Sequence, residues 1–197
     1  MTKTRDHSLE IEAQLAAAHE FFDNGDFDAA RKVLEPLLAI DNGAAIRMNC
    51  SHFNEGETEE EIDRIYVDGM IKAAECGDLH ALYIVGSFYD LGEYDAIPRD
   101  TTKASKIFKE AADKGHEHCM WIHACDLLWG RSSFPQSIEN GKEYLEKAIE
   151  SGSAEACMTK AKFLIGGEFG FQKDRASADK LRALAMEFDD TTFDPWA

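Results

Sequence analysis

The residues best suited to chemistry are His116, Glu117, His118 and Cys119, with His123 and Cys125 close behind. Imidazole and thiolate are the donors that zinc takes in tetrahedral sites. The spacing works against such a site. On one helix His118 and Cys125 share a face at seven residues, while Cys119 and His123 share another at four. No single face gathers four ligands, so core and groove positions are the default reading. A metal-dependent regulator or enzyme built on His116, His118 and His123 stands as the further alternative. Gly166-Gly167-Glu168-Phe169-Gly170, followed by Lys173, has the glycine content of a phosphate loop. It lacks the Gly-Lys-Ser/Thr ending and the preceding strand, and an inter-helix turn accounts for it. The acidic run from Glu55 to Asp63 has no calcium-loop spacing and fits a helix start, where negative charge favours the dipole. No nucleophile stands beside a base, so the sequence predicts no catalytic residue, no resident metal and no cofactor.

These residues sit on a repeating frame. Gly77, Gly115, Gly152 and a glycine-like position at Asp41 recur at intervals of 36, 38 and 37 residues. Fifteen residues after each mark stand Gly56, Gly92, Gly130 and Gly167; nine after it stand Cys50, Gly86, Ala124 and Ala161. Twelve after it come Phe53, Tyr89, Leu127 and Leu164, and four before the next mark come Ala73, Ala111, Ala148 and Ala185. A period of this size is the signature of stacked helix pairs. The first helix of a unit, such as Leu79 to Leu91, carries Leu82, Val85, Gly86 and Tyr89 at helical spacing, and Gly92 closes it. Asp100, Ser137 and Asp174 sit where an N-cap would open the second helix. Its stripe is Ala104, Ile107, Phe108 and Ala111 in one unit, and Leu181, Ala185 and Met186 in the last. Residues 9–40 fit a shorter helix-turn-helix with Gly25 in the turn, giving about five pairs and no convincing strand. Small residues at the nine-residue offset let the helices cross closely.

The chain is 197 residues long, 44% hydrophobic, and carries 38 acidic against 21 basic residues for a net charge of −17. That field repels phosphate backbones, which argues against nucleic acid and anionic membrane as partners. It attracts a basic protein or peptide, although acidic residues also keep a repeat surface soluble. The N-terminus, MTKTRDHSLEIEAQ, is charged where a secretory signal needs an apolar run, and no segment reaches ~18 apolar residues. A cytoplasmic location is expected. Five cysteines without a C-x-x-C pair read as reduced, small core residues.

The runs ALYIVGSFYDLG and RDTTKASKIFKEAADKG resemble the Sel-1-like repeat, a longer-linker relative of the tetratricopeptide repeat. The residues that carry the likeness are Ala81, Gly86, Tyr89, Gly92, Asp100, Lys103, Ala104, Ala111, Ala112 and Gly115. Ala156, Ala161, Gly167, Asp174 and Ala178 keep it in the last unit, as do Gly130, Lys147, Ala148 and Gly152 in the third. The departures are Asn49, His123 and Lys160, where an apolar residue is usual, and Ser137-Ile138-Glu139-Asn140-Gly141 in place of D-x-x-K-A. The resemblance implies an all-α, right-handed α-solenoid of about five antiparallel helix pairs, formed by one domain over 1–190. Residues 191–197 would be a tail that caps the array through Phe193 and Trp196, or a free linear motif. Repeats of this kind serve as adaptors, chaperones, regulators and immunity proteins, so the likeness says little about function.

In tetratricopeptide arrays the first helices line a concave groove. Carried over by offset, that arrangement puts His80, Tyr83 and Asp90 there, with His118, Trp121, Cys125, Leu128 and Trp129 from the next unit. Glu155, Met158, Lys162 and Ile165 follow from the last. Two tryptophans flanked by carboxylates make an interaction hot spot. Alternatively a linker or the C-terminal tail covers them as extra core. The expected function is capture of another protein or peptide without turnover. The more specific form is an immunity protein against a basic toxin domain; the rival is an adaptor or regulatory scaffold in secretion or signalling.

Overall fold

The computed structural model describes residues 2–53 and 56–189, with side chains from residue 7 onward. Glu55 and the tail with Phe193 and Trp196, expected to cap the array, lie outside the described residues. Among the described residues ten α-helices follow one another: α1 (Thr2–Asp23), α2 (Phe27–Leu38), α3 (Gly43–Cys50), α4 (Glu59–Glu75), α5 (Leu79–Leu91), α6 (Thr101–Asp113), α7 (Glu117–Trp129), α8 (Ile138–Glu150), α9 (Ala154–Gly166) and α10 (Arg175–Phe188). A 3-10 turn, Glu168–Gly170, joins the last two, and no strand occurs among the described residues. None of these helices is long and apolar enough to cross a membrane.

The frame read from the sequence is a backbone frame. Gly77, Gly115 and Gly152 hold φ of 91°, 104° and 95°, and Asp41, in the same place, holds φ 52°. That left-handed step is where one helix ends and the next begins, and asparagine-like residues are the commonest substitutes for glycine there. The expected caps form: Asp100 accepts from the Lys103 N–H at 2.9 Å and Asp174 from the Ser177 N–H at 3.0 Å. Ser137 takes the cap position of α8 but its side chain makes no capping hydrogen bond. The acidic run does open a helix, with Glu59, Glu60 and Glu61 in the first turn of α4 and a reciprocal Thr58–Glu61 capping box.

The chain divides into two compact units, with the boundary inside α5. The first runs up to Phe88 and takes in Glu93–Ile97; the second comprises Tyr89–Gly92 and the chain from Pro98 on. In the first unit α1 packs on α2 and α3 on α4. Ala18, Phe22, Ala30, Leu34, Leu37 and Ala45 form one core cluster. Tyr66, Phe88 and Tyr94 form an edge-to-face group, with Phe88 4.9 Å from Tyr94 and 5.8 Å from Tyr66 between ring centroids. Cys50 stands where other repeats carry Ala or Gly, and α4 makes room for it with Gly69, where a Cβ would lie on the thiol.

In the second unit α6 packs on α7, α7 on α8, α8 on α9 and α9 on α10. Ala104, Ala111, Cys119, Ala124, Leu145, Ala148, Cys157, Ala161, Phe163, Ala178 and Ala185 are buried. Leu128, expected in the groove, is fully buried instead. Its branch fills the space where a Cβ on Gly141 would sit, 2.7 Å from Leu128 Cγ. Gly141 occupies the slot of Ala104 and Ala178, so the irregular start of α8 is a compensation for a large neighbour. Met186, expected in the α10 stripe, is 50% exposed. The stripe follows Ala178, Leu181 and Ala185, and the residue after Ala185 turns away from it.

His123 is the apolar-slot departure with the largest consequence. The ring is buried edge-on against Phe134 and Tyr144, each 4.7 Å away, and its Nδ1 has no hydrogen-bond partner. Burial, aided by Lys109 and opposed by Asp113, lowers its pKa to about 4. Burial also lifts the thiols: Cys50, Cys125 and Cys157 stand at about 11 and Cys119 at about 12. The described cysteines are all free.

Two outcomes follow from this packing. Gly141→Ala should lower stability by about 1–3 kcal/mol through overpacking, and the loss should shrink in a Leu128→Ala background. Urea melts of the four variants measure that coupling. His123 is neutral when folded and takes a proton more readily when unfolded. Its contribution is therefore lost as pH falls from 6.5 toward about 4, by roughly 3 kcal/mol in all. His123→Leu should flatten the difference between urea midpoints at pH 7 and pH 4.5.

Candidate partner-binding face on α7 and α9

Helices α7 and α9 are the first helices of successive repeats. Trp121 and Thr159 are separated by 38 residues, and the indole N–H donates to Thr159 Oγ1 at 2.8 Å. His118 lies one turn earlier, its ring 5.1 Å from Trp121, with Nδ1 2.9 Å from Glu155 Oε1. That hydrogen bond holds the Glu155 carboxyl at about 2, against the opposing effect of burial and with help from its own backbone and Ser153. Ser153 Oγ donates to Glu155 Oε2 at 3.0 Å. Two hydrogen bonds, His118 to Glu155 and Trp121 to Thr159, thus bridge the two helices side by side.

Two turns on, Trp129 stands half-buried against Phe163 at 5.5 Å and edge-on to Phe169 at 5.1 Å. The Arg131 guanidinium lies over the Trp129 ring at 4.5 Å. Between the tryptophans is an open cavity of about 350 Å3, lined also by Cys125, Asp126, Arg131, Thr159, Lys162 and Phe163. A second cavity, of about 120 Å3, lies in the first unit between His19, Phe22 and His52.

Asp126 is the residue that sequence reasoning missed. It sits eleven residues after Gly115, the offset at which Phe88 and Phe163 are buried core residues, and it is itself only 8% exposed. The signal was present in the repeat register. Burial pushes its carboxyl above the ordinary aspartate value; Ser132 and Arg131 pull the other way, and Asp90 adds to the rise. Ser132 Oγ donates to its Oδ1 at 3.1 Å. The loops beside it are strained. Of the four described non-glycine residues with positive φ, two touch residues that line this cavity: Ser132 at 57°, bonded to Asp126, and Phe169 at 49°, against Trp129. The Phe169 conformation brings its ring onto Trp129 and Phe163. The Gly166–Gly170 segment is a turn, as expected, and it supplies an aromatic wall.

The other candidates fall elsewhere. Met158 is half-buried against Ala154, Cys157 and Ala185 and does not line the cavity. Asp90 gives its carbonyl to Arg99 Nε at 2.7 Å. In the first unit His80 is exposed, its ring 6.0 Å from that of Tyr83. The three histidines of the metal alternative go to different tasks. His116 caps α7, His118 bonds Glu155 and His123 packs in the core. Among the described residues no three of His, Cys, Asp and Glu gather as a metal site would require.

No protein-family model matches the sequence, and no curated protein does. Solved structures do match. A Sel1 repeat protein from Oxalobacter formigenes superposes over 94% of this chain and 76% of its own, at TM-score 0.73 and 19% identity. The protective antigen c5321 of uropathogenic Escherichia coli, which displays an SLR fold, covers 90% of this chain at TM-score 0.60 and 18% identity. This chain spans 40% of that antigen. The chain has the Sel1-repeat fold. In the Sel1-repeat frame, Ala81, Ala104, Ala111, Ala161 and Ala178 are buried where the motif places them. Trp121, Trp129 and Asp126 are additions that the motif does not require.

A carboxylate in a phenylalanine slot lowers stability at neutral pH. Its raised folded pKa means that the destabilisation grows as pH rises through the ordinary aspartate range. Asp126→Asn keeps the acceptor for Ser132 and should raise stability at pH 7 by about 0.5–2 kcal/mol, with the gain vanishing at pH 3. Denaturant titration at the two pH values tests it.

Proposed function

We propose that this protein is a non-catalytic interaction module that captures another protein or peptide, with the α7–α9 face as its anchor. The observation that carries this reading is the open cavity between the half-buried Trp121 and Trp129, floored by a buried carboxylate where the repeat elsewhere has phenylalanine. Half-exposed tryptophans beside fixed polar groups are the usual composition of a binding hot spot. Strain concentrated at the same loops favours a functional site over a packing accident. His118 and Glu155 continue the face, while His80 and Tyr83 offer a separate contact on α5.

The net charge of −17 favours a basic partner and disfavours nucleic acid and anionic membrane. A small acidic array matched to a basic toxin domain, in the manner of a cytoplasmic immunity protein, is the specific form of this proposal. An adaptor role in secretion or signalling is the second form. A toxin gene beside this one supports the first, and a secretion or signalling gene the second.

With a partner in hand, Trp121→Ala and Trp129→Ala should each weaken binding at least tenfold, the size expected of an anchor aromatic. Binding should also weaken with added salt. Calorimetry, with circular dichroism to check folding, gives the answer. Unchanged affinity in both variants removes this face from consideration.

A further inference from the structure

The cavity between α7 and α9 already holds a cation. The Arg131 guanidinium lies over the Trp129 ring at 4.5 Å and acts through space on the Asp126 carboxyl. Asp126 is only 8% exposed, yet it lines the cavity. Its Oδ1 accepts from Ser132 Oγ, and among the described residues its other oxygen takes no hydrogen bond. Asp90 stands near enough to oppose its ionisation. A buried carboxylate with acceptor capacity left over is costly unless a donor or a cation completes it. Phe88 and Phe163 fill the same slot elsewhere, so the fold does not need the charge. A group that costs stability and serves no packing purpose points to a ligand.

Arg131 is fixed by its backbone and held lightly by its side chain. Its N–H donates to the Asp126 carbonyl at 2.9 Å, and its own carbonyl accepts from the Phe134 N–H at 2.9 Å. The residue is exposed, and exposed side chains change rotamer within nanoseconds. The guanidinium therefore leaves the indole without any movement of the loop. Whatever replaces it must match an indole face and a carboxylate edge together. A guanidinium does so, stacking through its plane and donating two parallel N–H bonds from its edge. An ammonium is a compact, more strongly hydrated charge and matches the pair less well. With Arg131 turned out, Asp126 and Asp90 outweigh Lys162, the other cation near them, in a chain of net charge −17. A volume of about 350 Å3 is at the small end for a ligand pocket and suits one long side chain.

We propose that this cavity receives a single arginine side chain of a basic protein partner, and that Arg131 is its resident stand-in. The incoming guanidinium takes the place over Trp129, pairs with Asp126 and turns Arg131 out to solvent. This rests on the reading of the α7–α9 face as a binding face.

The probe is N-acetyl-arginine amide, titrated into the full chain labelled with 5-fluorotryptophan. Single Trp→Phe variants assign the 19F resonances of Trp121 and Trp129. Arg131→Ala should bind the probe at least tenfold more tightly than the native protein, with the Trp129 resonance moving. Adding Asp126→Asn should remove at least tenfold of that affinity, and because this change relieves a buried charge, the loss does not come from unfolding. N-acetyl-citrulline amide, the neutral isostere, should leave both resonances in place, and N-acetyl-lysine amide should bind more weakly than the arginine probe. A Trp129 resonance that stays still in Arg131→Ala overturns the proposal. So does equal affinity with and without Arg131, or binding that survives Asp126→Asn. Citrulline binding as well as arginine, or lysine binding at least as tightly, also overturns it. If the probe fails while Trp121→Ala and Trp129→Ala still weaken partner binding, only the arginine receptor fails. If the probe behaves as expected while both tryptophan variants keep partner affinity, only the partner reading fails.

Discussion

At one place in each repeat two helices cross with no space for more than a methyl or thiol group. Cys50, Gly86, Ala124 and Ala161 occupy that crossing, and all are buried. Ala73, Ala111, Ala148 and Ala185 are likewise excluded from water. Close crossing lets the stripes on neighbouring helices interdigitate at the density of a protein interior. It also fixes the left-handed step at Gly77, Gly115 and Gly152, because the chain must reverse within two or three residues to stay in contact. Everything else on these helices is positioned by that spacing, including which turns of α7 and α9 face each other.

The constraint is met by pairs of residues more than by single ones. Cys50 is tolerated because α4 offers Gly69, and Leu128 because α8 offers Gly141. His123 is held by the rings of Phe134 and Tyr144, while Tyr144 donates its hydroxyl to Asp113. In each case a side chain unusual for its slot is accommodated by its neighbour. The chain shares its fold with Sel1-repeat proteins at 18–19% identity.

The helix order, the caps and the small-residue core were legible because each depends on one residue type at one offset. Asp41 is the sharpest case, placed in the glycine series from spacing alone and found at positive φ. What could not be read depended on direction and on partners. The offset of Leu128 points to the groove, yet the space left by Gly141 takes it inward. The spacing of Met186 suggests the stripe, but its direction on α10 turns it outward. For the candidate face, sequence placed His118, Trp121, Trp129 and Glu155 near one another. It did not foresee Asp126, Arg131 or the aromatic wall at Phe169. Those arise from loop geometry and from a swap at the eleven-residue offset, where a polar residue breaks a periodic apolar pattern without altering the glycine marks.

The thiols give this packing a chemical side. A cysteine is nucleophilic only as thiolate, and burial pushes the thiols of Cys50, Cys125 and Cys157 up to about 11 and that of Cys119 up to about 12. Closed helices therefore keep the buried Cys50, Cys119 and Cys157 inert to oxidants and alkylating agents, whereas Cys125 lines the open cavity and Cys76 is half-buried. Loss of packing and loss of that inertness are one event. The reactivity of these three thiols thus reports on opening of the helices, Cys50 in one compact unit and Cys119 and Cys157 in the other.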